Sequence, residues 1–265
     1  MPEGHVVHAD ARRFAERMGG RVVRAASPQG RFADGAAALD GRRLVRPEAY
    51  GKNLFLRFSV PRGATGERAK PWLHVHLGLI GGWRWYDGSG AQTAGALLRG
   101  ADGTNRRLVL TAGRGHDSVS VDLRGAMTCA VLDQGQVDHV IDRLGPDPLR
   151  DDADPDLALQ KVQRSNAPLG TLLLRQDVVA GAGLIWRSEA PFLAGVAPQR
   201  PGRAVDAREW DALWQHLRTI MTAARHEDFF LFRRGGEPCR VCSTTIRAAA
   251  MAGRTVWWCP TCQPA

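Results

Sequence analysis

The chain has 265 residues, with 36 Lys plus Arg against 27 Asp plus Glu and a formal net charge of +9. Its length allows one large or two modest domains, at roughly 100–200 residues each. The basic residues recur from Arg12 to Arg254 instead of forming one tail, which points to a polyanionic partner. No stretch approaches the roughly 20 apolar residues that span a bilayer, and the opening MPEGHVVHADARR lacks the apolar run of a signal peptide. The expectation is therefore a cytoplasmic protein without a membrane partner. Thiols stay reduced there, so five cysteines do not read as a disulfide framework.

In chain order, Val7, Ala11, Phe14 and Met18 recur at helical spacing until Gly19-Gly20 breaks the pattern. From Arg21 to about Leu132 the texture changes to short alternating or β-branched runs, RVVRA, NLFLRFSV, WLHVHL, RRLVL and SVSVDL, punctuated by Gly, Pro, Asp and Asn. These read as antiparallel strands of a sandwich. Residues 145–156, GPDPLRDDADPD, have no periodicity and read as a hinge. Beyond them, PLGTLLLRQ and Leu184–Phe192 flank the small turn Gly181-Ala182-Gly183 in a helix-turn-helix-like unit. Trp210, Leu213, Trp214, Leu217, Met221 and Ala224 mark one face of a further helix, with Asp206 placed to cap it and Glu209 three residues later. The expected class is α+β. An N-terminal β-sandwich with a flanking helix covers 1–144, a hinge 145–156, a helical domain 157–238 and a cysteine unit 239–265.

Cys239-x2-Cys242 and Cys259-x2-Cys262 each place two thiolates on a tight turn, and two such turns complete a tetrahedral four-sulfur shell suited to one zinc ion. Such a shell has no open position, so the Zn2+ is structural, and a unit this small takes its folding energy from the metal. Gly253-Arg254 reads as the hairpin tip between the pairs, where Arg254 is either a solvated turn residue or a presented cation. Cys129 stands apart and reads as a small buried hydrophobe. At the other end, Met1 precedes the small Pro2, so processing would expose a secondary amine beside Glu3. An α-amino group titrates near pH 8, far below a lysine, and offers more neutral nucleophile. It can attack a sugar C1′ while a carboxyl shuttles protons. Taken by themselves these residues read more readily as a frayed terminus.

Taken together and in order, five segments resemble the Fpg/Nei family of DNA glycosylases/AP lyases, in particular actinobacterial endonuclease VIII-like members. They are Met1-Pro2-Glu3-Gly4, YGKNLF at 50–55, HVHLGL at 74–79, QDVVAGAG at 176–183 and GRTVWWCPTCQ at 253–263. The resemblance implies a bifunctional enzyme that excises damaged bases through a Schiff-base intermediate on Pro2 and nicks the strand by β/δ-elimination. Glu3 would be the acid/base and Lys52 a hairpin lysine on the phosphate beside the lesion. A helix-two-turn-helix unit would span about 158–193, and Arg254 of the zinc ribbon would contact phosphate. Such contacts position without reading sequence. An everted nucleotide leaves a gap in the stack, which Leu79, with Ile80, would fill. His74 and His76 would be structural or phosphate-facing, with His76 toward DNA. The implied partner is damaged double-stranded DNA, bound by a monomer.

Four departures from that pattern stand out. Val6 replaces an acid, and Leu184 replaces the asparagine of Gly-x-Gly-Asn. Pro191 sits where a helix should continue. Only 13 residues, His226 to Pro238, lead to Cys239 where the family has a longer stretch with a base-covering loop. Val6 and Leu184 keep open a catalytically weak damaged-DNA-binding protein of the same fold; a zinc-ribbon accessory protein of transcription or translation would leave the N-terminus unexplained. The shortened segment also leads to an expectation of tolerance for abasic or bulky lesions.

Overall fold

The computed structural model describes residues 2–60, 70–88, 105–223 and 229–264. Ala224, expected on a helix face, and His226, where the shortened segment begins, lie outside them. The chain divides into two compact units, one holding Pro2 and Val6–Asp142, the other Glu3–His5 and the chain from Arg143 onward.

Helix α1 (Gly4–Met18) buries Val7, Ala11, Phe14 and Met18. It stops at Gly19-Gly20, where Gly20 adopts φ +72°, a conformation that glycine takes without strain. There follow β1 (Val23–Ala26), α2 (Ala33–Leu39), β2 (Leu44–Tyr50), β3 (Asn53–Phe58), β4 (Trp72–His76), β5 (Gly82–Asp87), β6 (Arg106–Ala112), β7 (Val119–Arg124), β8 (Thr128–Leu132) and α3 (Gln134–Ile141). The strands form two antiparallel four-stranded sheets, ordered β1-β6-β7-β5 and β2-β3-β4-β8. Their inner faces and α1 share one core, in which Phe14 meets Trp83 and Trp85 edge-on. Cys129 packs against this core, and burial pushes its thiol up to about 12.

Strands β2, β5 and β8 are absent from the five runs read from the sequence, and two helices have no counterpart in its pattern either. Helix α2 is a seven-residue run of mostly Ala and Gly with too few large apolar residues to show a period. Helix α3 begins with a capping box of Asp133 and Gln136 and lays Val137, Val140 and Ile141 over Phe55 and Trp72. It therefore covers the outer face of the second sheet, which explains why β3 reads as continuously apolar. Strand β2 carries Pro47, tolerated because β2 lies at a sheet edge.

The second unit contains α4 (Pro155–Gln163), α5 (Leu169–Leu172), α6 (Trp186–Leu193), α7 (Ala207–Ala223) and a hairpin of β9 (Arg247–Met251) and β10 (Arg254–Trp258). Asp206 and Glu209 exchange backbone–side-chain hydrogen bonds of 2.9 and 3.1 Å at the start of α7. Trp210, Leu213, Trp214, Leu217 and Met221 are buried. Residues 145–156 are not an open hinge. Gly145 to Pro148 are buried, Gly145 N donates to Gln176 O and Pro146 O accepts from Ala180 N. Pro155 opens α4 behind its N-cap Asp154. The Pro and Asp residues serve as caps and turns of the helical unit. Helix α5 is a single turn, much shorter than PLGTLLLRQ suggests. Helix α6 accommodates Pro191, which donates no hydrogen bond to the preceding turn, and ends at Leu193, shortly before Gly195 at φ +69°. The ribbon turn is Ala252-Gly253, at φ +52° and +69°, so Arg254 is the first residue of β10 and not the tip. Among the described residues no helix is long and apolar enough to cross a membrane.

Candidate functional site

Within the second unit, the residues that open the chain are built into the loop between α5 and α6. Gly4 N donates to Gly181 O at 2.9 Å, and a Cβ on Gly4 would stand 2.8 Å from the Gly181 Cα, so only glycine permits this approach. Glu3 is fully buried, and its Oε1 accepts a 3.0 Å bond from Ile185 N at the start of α6. A helix N-terminus offers a carboxylate backbone donors and a favourable dipole. Gly183 makes room for it, since a Cβ there would lie 2.5 Å from the Glu3 carboxyl carbon. Trp186 Nε1 donates to His5 Nδ1 at 3.1 Å, the two rings meeting edge-on. Gln176 ties the loop to itself, accepting from Gly181 N and donating to the Leu174 and Ala182 carbonyls. Leu184 is half-buried and brings no donor.

In the first unit, Gly51-Lys52 is the two-residue turn joining β2 to β3, with Gly51 at φ +57°. Lys52 is half-buried and its charge is felt by His76. Burial first, and Lys52 second, hold the His76 imidazole below its ordinary range. His76 Nδ1 accepts from Gly78 N at 3.1 Å, so in the neutral ring Nε2 carries the proton and is the donor. His74 is a structural residue: it stacks on Phe55, bonds Asn53 Oδ1 at 2.9 Å, and is pushed down to about 4 by burial and by His76. Leu79 and Ile80 follow β4 and are 56% and 87% exposed, so neither is strand core. Met127, 67% exposed, packs close to Gly78 and extends this apolar patch. Nothing in the sequence around Met127 signals it, because the β7–β8 turn reaches β4 only through sheet pairing.

The ribbon brings Cys239, Cys242, Cys259 and Cys262 together, with all four sulfurs within 4.8 Å of one another. Individual separations are 3.4, 3.5 and 3.9 Å. A tetrahedral zinc with bonds of about 2.3 Å needs edges of about 3.8 Å, so the donor set fits. Arg254 is exposed on β10. Behind it lies Arg187 of α6, fully buried and absent from the expected site. Its Nη2 donates to Arg254 O at 2.6 Å and its Nη1 to Met251 O at 3.2 Å, with Gly170 O at 3.4 Å. Burial draws this guanidinium down to about 10, opposed by the charge of Glu3. Gln263 joins Cys259 N to Val196 O. Glu189 accepts three backbone N–H bonds, from Phe230, Leu231 and Phe232, at 2.7–2.9 Å.

Three family models match the chain: the formamidopyrimidine-DNA glycosylase N-terminal domain at residues 1–134, the formamidopyrimidine-DNA glycosylase H2TH domain at 144–229, and the zinc finger found in FPG and IleRS at 236–265. Endonuclease 8 1 of Mycobacterium tuberculosis (strain ATCC 25618 / H37Rv) is 39% identical over 285 residues, covering 99% of this chain and 100% of that protein. Two solved structures of Lactococcus lactis Fpg share the fold. One is a complex with abasic-site DNA (TM-score 0.79, 19% identity, 99% of this chain and 100% of that one). The other holds DNA containing N7-benzyl-Fapy-dG (TM-score 0.80, 19% identity, 100% of both chains).

Proposed function

Because this chain belongs to the Fpg/Nei family of DNA glycosylases, we propose that it excises damaged bases from double-stranded DNA with Pro2 as nucleophile and then nicks the strand. Once Met1 is removed, the Pro2 nitrogen lone pair forms a bond to C1′. The C1′–base bond breaks, its electron pair leaving with the base, which takes a proton. The attached nitrogen gives up its proton, and its lone pair then opens the sugar ring as O4′ is protonated, turning the nitrogen–C1′ bond into an iminium. Loss of a C2′ proton then expels the 3′ phosphate, a second elimination expels the 5′ phosphate, and water releases the enzyme. Glu3 supplies and retrieves the proton at O4′ or the base. Lys52, the Nε2–H of neutral His76 and Arg254 bind phosphates, and Leu79 with Ile80 fills the space of the everted nucleotide. The four-cysteine zinc is structural and takes no part in the bond changes.

The observation that carries this reading is the seat of Glu3. A buried carboxyl group adjacent in sequence to Pro2, held by Ile185 N and given space by Gly183, supports reading Glu3 as a fixed acid/base group over a frayed end. Borohydride trapping on oligonucleotides with single lesions tests it. Pro2→Gly, or an N-terminal extension that retains Met1, should abolish the covalent adduct and leave DNA binding largely intact; full trapping by a blocked N-terminus refutes the assignment. Leu184 and Val6 favour a second reading, a binder of damaged DNA with weak chemistry. No adduct from the unblocked chain on any lesion would decide for it.

A further inference from the structure

Beyond the C-terminal end of α1, the first unit carries a groove of about 680 Å³ whose walls include Arg21, Arg24, Arg43, Arg114, Thr111 and Asp117. Within the first unit, α1 sets this groove apart from Pro2: the 13 residues from Val6 to Met18, at 1.5 Å each, span about 20 Å. The groove is framed by hydrogen-bonded backbone. Gly20 N donates to Leu44 O, Leu44 N to Arg21 O, and Val22 bridges Arg43. Four guanidiniums face one aspartate among these side chains. Arg24 is paired with Asp40 at 2.8 Å. Arg21 and Arg43 are held differently: Arg21 Nη1 donates to Asp117 O and Arg43 Nη1 to Gly20 O, both neutral carbonyls. Their positions are thereby defined while their charges remain uncompensated. Among the described residues neither forms an ion pair, and the Arg114 side chain makes no hydrogen bond or ion pair.

Pre-positioned guanidiniums with unneutralised charge suit phosphate, which they bind in a planar fork. Among the described residues the groove has no aromatic wall on which a base could stack, so it would grip a backbone and ignore the bases. We propose that this groove is a second nucleic-acid site, separate from the lesion site, that binds successive phosphates of a strand without reading sequence. The choice of nucleic acid over another polyanion rests on the proposed function.

The test uses the zinc-loaded full chain and the variant Arg21→Gln/Arg43→Gln/Arg114→Gln. Affinity for a long undamaged duplex is measured across salt concentrations, and borohydride trapping is measured on a short duplex with one lesion. Each lost phosphate contact lowers the log–log salt slope by about 0.9, so the variant's slope should fall by about 2 to 3. Trapping on the short lesion duplex should be unchanged; that arm also tests the proposed function independently. Arg114→Glu, which removes no hydrogen bond among the described residues, should lower the slope by about 1 even if the triple variant misfolds. An unchanged slope in a folded variant overturns the proposal, and so does a parallel loss of trapping, which would make the groove part of the lesion site. Tripolyphosphate is the third arm. If it raises the Tm of the unmodified chain but not of the variant while the duplex slope stays the same, the groove takes free polyphosphate and the nucleic-acid assignment is overturned.

Discussion

Gly183 has a carboxylate for a neighbour, and a single methyl group there would displace it. Gly183→Ala should therefore reproduce much of the phenotype of Glu3→Gln. General acid–base groups contribute about 10²–10⁴ in rate. In single-turnover assays Glu3→Gln should lose most base excision while keeping some cleavage at pre-formed abasic sites; equal loss of both would argue against the proton-transfer role. His74 makes a pH prediction. Its folded value, about 4, lies below the unfolded value near 6.5, so the unfolded chain binds the proton more readily. The associated stability is complete above pH 6.5 and is lost as pH falls toward 4, an upper limit of about 3 kcal/mol at one pKa unit per 1.36 kcal/mol. His74→Gln should lower the difference in urea midpoint between pH 7 and pH 5. A variant as pH-sensitive as the unmodified chain would show that His74 does not carry the effect.

At the scale of elements, α6 is the organising piece of the second unit, because polar side chains buried along it hold what lies on either side. Glu189 binds the amides of Phe230, Leu231 and Phe232 although burial pushes its carboxyl up, the three amides opposing that shift. Glu189→Gln sets an amide NH2 against one of these donors and should destabilise the chain by about 1–3 kcal/mol in urea denaturation. Arg187 fastens both ends of the β9–β10 turn through the Met251 and Arg254 carbonyls. Arg187→Met, of similar length, should keep one zinc per chain by elemental analysis while DNA affinity falls, since Arg254 loses its support. Loss of zinc in that variant would mean that Arg187 holds the metal unit itself and not just its hairpin.

For the whole molecule, Cys239→Ser or Cys262→Ser should release the metal and weaken DNA binding while the β-sandwich unit stays folded, as followed by its Trp72, Trp83 and Trp85 fluorescence after comparison with the intact chain. The segment between α7 and the ribbon bears on substrate choice. Phe230, Leu231 and Phe232 are tied to Glu189, so these three residues are structural support and not a free cover. Short covering leaves few groups to read a base edge. We expect abasic sites and bulky alkyl-purine adducts to be processed at least as well as 8-oxoguanine. Matched duplexes in single-turnover excision decide this, and an order-of-magnitude preference for 8-oxoguanine would refute it.

The features legible in the sequence are those set by local chemistry: the i, i+4 apolar stripe of α1, the Asp206/Glu209 box and the four thiolates in two tight turns. Each needs only neighbours a few residues away, and periodicity or spacing records them. Sequence alone does not decide whether Leu79 is a strand-core residue or an exposed one; the turn after β4 does. Residues 145–156 looked like a linker because Pro and Asp mark caps and loops alike, and only burial tells them apart. Glu3 on Ile185, Arg187 on Arg254 and Glu189 on Leu231 join residues 182, 67 and 42 positions apart. No local pattern encodes such pairs. They exist because a buried charge must find backbone partners, and which backbone lies within reach is decided only when the chain is packed.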